Sequence, residues 1–321
     1  MSMSPIVVTE EELRERIGLD ADALAAVEKA FTWASTGRAT MPPIMHIDVD
    51  AGPGDVDVKS AYVSGLDRFA VKIASGFHGN VELGLPAGSG LMVVLSARTG
   101  FCEAVLLDNG YLTDLRTALA GAVAARHLAL PSARTVGVVG VGAQARLQVE
   151  ALRLVREIDR VLVFGRDPRR TGAYVEEMTE KLGVEVRASP TVEDVVRGSQ
   201  IVVTTTPARE PLVQADWLHP GLHVTAMGSD LTGKQELAAD VLQSADLVVC
   251  DSKAQARRGG ELQHLPESEA RRAFELGEIT SGAREGRVDE NAVSVCDLTG
   301  MGTQDTAIAL FALRRVAGAS G

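Results

Sequence analysis

From residue 135 to residue 250, short apolar runs alternate with longer stretches in which apolar residues recur every three or four positions. The short runs predict buried strands and the longer stretches predict helices. The predicted strands lie at residues 136–139, 161–164, 184–188, 201–204, 223–227 and 247–250, and the predicted helices at residues 144–155, 171–182 and 192–197. Such alternation is typical of a doubly wound parallel sheet.

The first third of the chain has a different pattern, without a helix after each strand. Thr9, followed by three glutamates, predicts the start of one helix, and Asp20 or Asp22 the start of a second. Strands are predicted at residues 44–49, 56–63, 69–75, 90–96 and 103–108. The turn Gly52-Pro53-Gly54 predicts a hairpin between the first two. This part is expected to be a mixed α/β unit.

A long alanine-rich helix is predicted from Leu112 to about Pro131, with Thr113 as its N-cap. Residues 259–287 are charged and are expected to be mainly helical. The apolar stretch at residues 306–316 predicts a final helix that returns to the first part of the chain. With 321 residues, the chain is long enough for two domains.

Composition narrows the choice of partner. The chain carries a net charge of −11, which argues against nucleic acid or an anionic membrane surface, because both need a basic face. A local cluster of lysines and arginines could still hold a small anionic substrate. Three unpaired cysteines, six histidines without metal-ligand spacing, no leader and no long apolar run predict a cytoplasmic protein without a metal.

The segment Gly140-Val141-Gly142-Ala143-Gln144-Ala145 joins the first of the alternating strands to its helix. This G-x-G-x-x-A spacing lets the backbone turn sharply and approach a pyrophosphate, while the helix N-terminus offers free N–H groups. A tight strand–helix turn in another α/β protein would use the same glycines. The flanking strands and helix favour a dinucleotide-binding site.

Polar residues follow the next predicted strands. Thr205 and Thr206 come after one strand, at the sheet edge where ligands bind, although a local hydrogen-bonded turn is the alternative. Arg166 follows another strand, between Gly165 and Asp167. At this position an acidic side chain accepts hydrogen bonds from the ribose hydroxyls of NAD, whereas an arginine binds the 2′-phosphate of NADP. These residues leave the choice of coenzyme open.

Four side chains could act on a substrate. Lys72, in an apolar strand, is either solvated or turned inward, where burial would lower its pKa and suit it to donate a proton. Arg116 is either a surface residue or a carboxylate ligand. Asp230 either lies where a substrate meets the nicotinamide or caps a helix near Lys234. His46, after the double proline, is the histidine of interest.

The sequence resembles the ornithine cyclodeaminase/mu-crystallin family over essentially its whole length. The matching segments are Ala70-Val71-Lys72-Ile73, Gly84-Leu85-Pro86, Leu112-Thr113-Asp114-Leu115-Arg116-Thr117-Ala118, Gly140-Val141-Gly142-Ala143-Gln144-Ala145, Gly228-Ser229-Asp230 with Lys234, and Thr299-Gly300 through Asp305. The resemblance implies a Rossmann doubly wound parallel sheet in residues 121–302. It also implies a mixed α/β domain for substrate binding and homodimer formation, residues 1–120 plus 303–321.

The resemblance implies roles for individual residues. Lys72 would contact the carboxylate or imine of the substrate, and Arg116 would bind the carboxylate. Asp230 would be the acid/base or amine-binding group, so Lys72 and Asp230 are the expected catalytic residues. His46 occupies a stretch where many members carry an arginine that grips the substrate, and it is expected to help bind it, as is Gly300.

The resemblance also implies a coenzyme site in the second domain. Its expected residues are Thr117, Gly140, Gly142, Ala143, Gln144, Arg166, Thr205, Ala226, Met227, Gly228, Lys234 and Thr299. Gly165 replaces the acidic residue that ornithine cyclodeaminases place after the second strand, which weakens the case for ornithine as the substrate. NAD is the expected coenzyme, with NADP as the alternative.

The activity that the resemblance implies is NAD(P)H-dependent reduction of an imine to an amino acid, with iminosuccinate, reduced to L-aspartate, as the expected substrate. A small anionic imino or amino acid is thus the expected partner. Two alternatives stay open: an ammonia lyase of the ornithine cyclodeaminase type with bound NAD, and an NADPH-binding protein of the mu-crystallin kind.

Overall fold

The computed structural model describes residues 4–50, 52 and 54–318. The strands are β1 (Ile6–Thr9), β2 (Ala39–Thr40), β3 (Met45–Val49), β4 (Gly54–Val63), β5 (Arg68–Gly76), β6 (Gly88–Ser96), β7 (Cys102–Leu107), β8 (Thr135–Val139), β9 (Arg160–Phe164), β10 (Glu185–Ala188), β11 (Ile201–Thr204), β12 (His223–Ala226), β13 (Leu247–Cys250), β14 (Phe274–Glu275) and β15 (Ser294–Asp297). The helices are α1 (Glu10–Arg16), α2 (Ala21–Ser35), α3 (Tyr111–Leu128), α4 (Ala143–Leu152), α5 (Pro168–Leu182), α6 (Val192–Arg197), α7 (Ala239–Ser244), α8 (Lys253–Gly259), α9 (Glu267–Ala270), α10 (Leu276–Thr280) and α11 (Gly302–Gly318).

The chain divides into two units, Met1–Arg116 with Met301–Gly321, and Thr117–Gly300. The first division falls inside α3, and the second falls just before α11. The sequence expectation placed these boundaries at 120/121 and 302/303. Each unit has its own sheet and its own buried residues.

The first unit is built on a sheet in the order β1-β7-β6-β5-β4-β2, with β3 also paired to β4. β1 runs parallel to β7, and the other pairs are antiparallel. Helix α11 packs so closely on β4 that a Cβ on Gly302 would lie 2.3 Å from the Ser60 carbonyl oxygen. Thr306 Oγ1 also links the two inner strands, since it donates to Ala61 O (2.9 Å) and accepts from Ala70 N (3.1 Å).

The second unit is built on an eight-stranded parallel sheet in the order β10-β9-β8-β11-β12-β15-β13-β14. Apolar side chains cover both faces: Ile201 and Val203 of β11 pack into one cluster, and Val202 into the other. Strands buried on both faces read as continuous apolar runs, which explains the pattern of the sequence. The predicted fold class, a Rossmann doubly wound parallel sheet beside a mixed α/β unit, is confirmed.

Several local predictions hold. Thr9 forms a capping box with Glu12, and Asp20 rather than Asp22 caps α2. The predicted hairpin joins β3 to β4, which are antiparallel neighbours. Pro53 of its turn lies outside the described residues.

Other local predictions are wrong. Thr113 is not an N-cap, because α3 already begins at Tyr111 and the Leu112 amide donates to Asp108 Oδ2 (2.8 Å). Helix α4 ends at Leu152, three residues before the expected end. Strands β1 and β15 have no counterpart in the prediction. The charged stretch at 259–287 contains only short helices and the strand β14.

Two negative findings apply to the described residues alone. Every helix there is too short or too polar to cross a lipid bilayer. No group of three or more His, Cys, Asp or Glu side chains among the described residues could hold a metal ion.

Candidate active site

The turn from β8 into α4 has the geometry of a pyrophosphate site. Gly140 has a φ of +121°, and a Cβ there would lie 2.6 Å from Thr205 Oγ1. A Cβ on Gly142 would meet no heavy atom within 4 Å, and Gly142 is the N-cap of α4 without a side-chain cap hydrogen bond. The backbone beside Gly142 is therefore open. Because no side chain caps the N-terminus of α4, its free N–H groups are available to a phosphate. These residues fit a dinucleotide.

Arg146 holds this turn in place, although the sequence analysis did not select it. Its Nη1 donates to the carbonyl oxygens of Val141 (2.7 Å) and Gly142 (3.1 Å). Its guanidinium also lies over the ring of Tyr174, 5.0 Å from the ring centroid. Tyr174 in turn donates to Ala145 O (3.0 Å). The turn thus has support from both α4 and α5.

Three further predicted coenzyme residues lie at the start of α4 or on α3. Ala143 and Gln144 are the first two residues of α4. Buried Gln148 donates to Gln144 Oε1 (3.3 Å) and to the carbonyl oxygen of Thr117 (3.1 Å). A Cβ on Gly121 would lie 2.0 Å from Gln148 Oε1, so α3 and α4 approach closely here. Gln148 therefore connects Thr117 to the predicted coenzyme turn.

The carboxyl ends of β11 and β12 are tied together by Glu236. This fully buried carboxylate accepts hydrogen bonds from Thr204 Oγ1 (2.6 Å), from Thr206 N and Oγ1 (2.6 and 2.7 Å), and from Gly228 N (2.8 Å). Burial raises the pKa of Glu236, although these donors oppose the shift. Thr205, between its two hydrogen-bonded neighbours, donates to Val139 O (3.3 Å). The sequence analysis did not select Glu236.

The loop after β12 is equally constrained. Ala226 ends the strand and is buried, and the Met227 amide donates to Thr204 O (3.0 Å). A Cβ on Gly228 would lie 2.1 Å from the Thr206 carbonyl oxygen, so only glycine fits there. These residues lie at the sheet edge where ligands bind in doubly wound folds.

Asp230 does not cap a helix, so that alternative is wrong: no helix begins near Lys234, and the next one is α7. Its side chain is 42% exposed and lies 2.6 Å from Lys234 Nζ. The Lys234 carbonyl oxygen is 2.8 Å from His264 Nε2, which anchors the loop. The catalytic role of Asp230 remains a prediction.

Thr299 and Gly300 are held by a second buried carboxylate. Asp251 Oδ2 accepts from the backbone amides of Thr299 (2.8 Å) and Gly300 (2.6 Å), and Thr299 Oγ1 donates to Asp251 Oδ1 (3.0 Å). Gly300 has a φ of +84°, in the left-handed region that favours glycine. Their predicted contacts with coenzyme and substrate stay predictions.

The end of β9 lacks a carboxylate at its first position. A Cβ on Gly165 would lie 2.5 Å from Thr171 Oγ1 and 2.9 Å from Val141 Cγ1. Arg166 follows and is exposed. Asp167 is the N-cap of α5, and its Oδ1 accepts from the amides of residues 169 (2.8 Å) and 170 (3.3 Å).

The first unit contains a buried group that we call the cation cluster: Lys59, Lys72, Arg116 and Asp305. Lys72 is only 2% exposed and its Nζ lies 3.0 Å from Asp305 Oδ1. Arg116 Nε lies 3.0 Å from the same oxygen, and its Nη1 donates to Gln304 Oε1 (3.4 Å). The alternatives of a solvated Lys72 and a surface Arg116 are therefore wrong.

The charges in the cation cluster shift one another. Burial, with help from Arg116 and Lys59, lowers the pKa of Lys72 to about 7, although Asp305 opposes the shift. Burial alone would raise the pKa of Asp305, but Lys72 and Arg116 hold it below its ordinary value. Lys72 can therefore exchange a proton near neutral pH, while Asp305 stays ionised.

Two observations show that the cation cluster is not fully satisfied. Asp305 Oδ2 is buried and forms no hydrogen bond with a described residue, and Arg116 Nε, although 3.0 Å from Asp305 Oδ1, lacks the geometry of a hydrogen bond. The nearby Asp108 is also buried, and burial raises its pKa to about 6. Three cations thus face two carboxylates, so the cluster keeps a formal excess of positive charge suited to an anion.

His46 lies on β3 between two carboxylates. Its Nδ1 is 2.7 Å from Asp57 Oδ1 and its Nε2 is 3.2 Å from Asp48 Oδ1. The hydrogen bond to Asp57 raises the pKa of His46 the most, against the opposing effect of burial. A substrate carboxylate would have to compete with both aspartates, and the substrate role of His46 stays a prediction.

Together the two units contain the parts of an enzyme class: a parallel-sheet unit that fits a dinucleotide, and a unit with a buried proton-exchanging lysine beside an arginine. The sequence matches the ornithine cyclodeaminase/mu-crystallin family over residues 3–319, and the chain belongs to that family. Asp305, which pairs with both cations, entered the sequence analysis only as the end of a matching segment. Its chemical role appears only once the helix α11 is in place.

Comparison with individual proteins gives the same class. A relative from Sinorhizobium fredii, described as an uncharacterized cyclodeaminase, is 48% identical, covering 96% of this chain and 95% of the relative. An archaeal alanine dehydrogenase dimer with bound NAD is 32% identical, with a TM-score of 0.90 over 99% of this chain and 97% of that one. The iminosuccinate reductase of Paracoccus denitrificans with NAD+ is 26% identical, with a TM-score of 0.89 over 99% and 97%.

Proposed function

We propose that this protein is an NAD(P)H-dependent imine reductase that forms an α-amino acid, with iminosuccinate, reduced to L-aspartate, as its substrate. The observation that carries the proposal is the cation cluster, in a chain that also has a dinucleotide-type turn. The similarity to an iminosuccinate reductase and an alanine dehydrogenase supports it. When bound, the coenzyme would supply the hydride that reduces the imine carbon.

The chain's own residues would bind and protonate the substrate. Arg116 would hold a substrate carboxylate, because its guanidinium offers several donors in a fixed plane. Lys72 would keep the imine nitrogen protonated, which makes the imine carbon more electrophilic. Lys72 suits this task because its pKa of about 7 lets it both hold and release a proton near neutrality. Asp230 is the alternative proton donor.

The excess positive charge of the cation cluster favours a substrate with more than one negative charge. Lys59, Lys72 and Arg116 are each less than a tenth exposed. An ion from solvent would have to lose its hydration to reach them, which costs free energy. A substrate with a second carboxylate would offset this excess better than one with a single carboxylate. Iminosuccinate, which has two carboxylates, is therefore the proposed substrate rather than the imine of pyruvate, which has one.

The test is a substrate panel with purified protein and either NADH or NADPH. Iminosuccinate, formed from oxaloacetate and ammonia, should oxidise the coenzyme faster than pyruvate with ammonia does, as read from the loss of the nicotinamide absorbance of the reduced coenzyme. The amount of L-aspartate formed should equal the amount of coenzyme oxidised. Coenzyme binding without turnover of any imine would contradict the proposal and favour a ligand-binding protein.

Two specific observations keep other activities in the same panel. The 32% identity to an alanine dehydrogenase favours pyruvate with ammonia as the second substrate to try. Membership of the ornithine cyclodeaminase/mu-crystallin family, with the similarity to an uncharacterized cyclodeaminase, favours ornithine, from which ammonia would be released without net NADH. Faster turnover of pyruvate, or ammonia release from ornithine alone, would replace iminosuccinate in the proposal.

A homodimer through the first unit belongs to the proposal. The sheet face opposite α11 is apolar and open: Val7, Tyr62, Ile73 and Leu107 are 56%, 40%, 37% and 42% exposed. An apolar face of this kind marks an interaction surface, and the similar alanine dehydrogenase is described as a dimer. A second copy of the chain is therefore the proposed occupant.

Light scattering should give twice the monomer mass for the wild type. Ile73→Glu should yield monomers, because it buries a charge in the proposed interface. Val288→Glu is the matched control, since Val288 is exposed but lies in the other unit, and it should stay dimeric. A monomeric wild type would contradict this part of the proposal.

A further inference from the structure

The residues after β9 decide which coenzyme the second unit can accept. In a doubly wound nucleotide-binding sheet, the end of the second strand faces the ribose of the adenosine half. A carboxylate there accepts a hydrogen bond from the 2′-hydroxyl of NAD and repels the 2′-phosphate of NADP. In this unit the second strand is β9, and the residues concerned are 165–170.

The first of these positions cannot supply the carboxylate. Gly165 has no side chain, and a Cβ would lie 2.5 Å from Thr171 Oγ1 and 2.9 Å from Val141 Cγ1. Thr171 Oγ1 is itself fixed, because it donates to the carbonyl oxygens of Asp167 (2.8 Å) and Gly165 (3.3 Å). The structure therefore has no room for an acid at the position that usually selects NAD.

The next carboxylate is already engaged. Asp167 caps α5, and one of its oxygens accepts two backbone N–H groups of the first helical turn. An N-cap side chain that accepts hydrogen bonds from its own helix stabilises the helix start, and these contacts would be lost if Asp167 turned to a ribose. Asp167 is thus a fixed part of the helix start.

The charge that remains around this position is positive. Arg166, Arg169 and Arg170 are exposed, and no carboxylate among the described residues pairs with them. Three arginines and one aspartate give residues 165–170 a formal charge of +2, in a chain whose net charge is −11. Guanidinium groups bind phosphate oxygens through charge-assisted, often bidentate hydrogen bonds.

We propose that residues 165–170 form a 2′-phosphate subsite, with Arg166 as its main ligand, so that this protein prefers NADP(H) to NAD(H). The inference rests on the proposed function only in requiring a dinucleotide at the turn after β8. It departs from the two similar structures, which are described with NAD or NAD+.

The experiment is a fluorescence titration of the purified full chain with NADPH and with NADH. NADPH should bind at least about tenfold more tightly at low ionic strength, which is the gain expected from one charge-assisted contact. Raising the salt concentration should reduce this advantage, because the arginines are exposed and their charges are screened.

Two variants separate the subsite from general effects of charge. Arg166→Gln should weaken NADPH binding about tenfold and leave NADH binding unchanged. Arg153→Gln is the matched control: it removes an equally exposed arginine at the far end of α4, and both affinities should stay as in the wild type.

Three other results of these titrations would overturn the 2′-phosphate subsite or the proposed function. Equal or tighter binding of NADH by the wild type would overturn the 2′-phosphate subsite and leave the imine reductase proposal intact. An equal loss of both coenzymes in Arg166→Gln would also overturn it, because the arginine would then serve the shared part of the molecule. Binding of neither coenzyme by the wild type would overturn the proposed function as well.

Discussion

The two units of this protein bury charge in opposite ways. In the first, the cation cluster sets two amines and a guanidinium against the carboxylate of Asp305, with Asp108 nearby. In the second, four carboxylates have no exposed surface; we call them the buried acid cluster: Glu236, Asp251, Glu261 and Asp297. Burial raises the pKa of all four, that of Asp297 to about 8 and that of Glu261 to about 9.

The difference lies in what compensates the buried charge. The buried acid cluster is compensated by protons and by backbone donors: Glu261, for example, accepts from the amides of Glu236 (2.8 Å) and Leu237 (3.2 Å). These hydrogen bonds fix loops. The cation cluster instead keeps an excess of positive charge and an unpaired carboxylate oxygen, Asp305 Oδ2. One cluster shapes the backbone, and the other is left ready for a charged ligand.

The largest expected effect is on the cation cluster. Lys72→Met keeps much of the apolar stem of the side chain but removes the proton, and it should lower kcat/KM by about 10²- to 10⁴-fold, the range of a general acid. Lys29→Met, at an exposed lysine on α2, is the matched control and should leave the rate unchanged. Steady-state kinetics with the imine substrate decide this, and a fully active Lys72→Met would remove the lysine from the mechanism.

Asp305→Asn should have the next largest effect. Removing this carboxylate leaves Lys72 and Arg116 buried without their shared counter-charge, which typically costs about 3–5 kcal/mol. Thermal unfolding should report the loss of stability. The pKa of Lys72 should fall further, so the rate should decline with rising pH at a lower pH than in the wild type. An unchanged pH profile would show that Asp305 does not act through Lys72.

Glu236→Gln tests the buried acid cluster and should change stability less than Asp305→Asn does. Glutamine has a single acceptor oxygen for the donors of Thr204, Thr206 and Gly228, so at least one would lose its partner, at about 1–3 kcal/mol. Because these donors belong to the coenzyme side of the sheet, we expect weaker coenzyme binding with little change in the KM of the imine. Coenzyme titration beside steady-state kinetics separates the two. A change confined to the KM of the imine would contradict this role.

The smallest effect concerns pH and stability. In the folded protein Asp297 keeps its proton up to about pH 8, whereas in the unfolded chain it loses it near pH 4. Its contribution to stability is therefore present below about pH 4 and is lost as the pH rises toward 8. Asp297→Asn should flatten this decline in melts between pH 6 and 8.5, and exposed Asp240→Asn should not. Parallel slopes for wild type and Asp297→Asn would argue against it.

How far the sequence could predict this structure depends on distance along the chain. The turn at Gly140 and Gly142 is local, so its glycines, strand and helix could be recognised together. Asp305 lies 233 residues from Lys72, and no pattern within either segment indicates that they meet. The orientation of Lys72 was equally hidden, because β5 carries apolar residues on both faces and its alternation does not separate inside from outside.

Short elements were missed for a related reason. Strand β15 has four residues, and its position between β12 and β13 in the sheet follows from tertiary pairing rather than from its own sequence. Thr113 looked like an N-cap because its residue type suits one. The helix started earlier because Asp108, three residues before Tyr111, provides an acceptor for the Leu112 amide.

Helix α11 has a consequence for the order in which the protein forms during translation. Residues 117–300 are all synthesised before α11 emerges, so the parallel-sheet unit can fold while the ribosome is still working. The N-terminal sheet, although made first, must wait for Gly302 to seat on β4 and for Asp305 to reach Lys72. Until then Lys72 lacks the carboxylate of Asp305, and the earliest part of the chain to be made is the last to be completed.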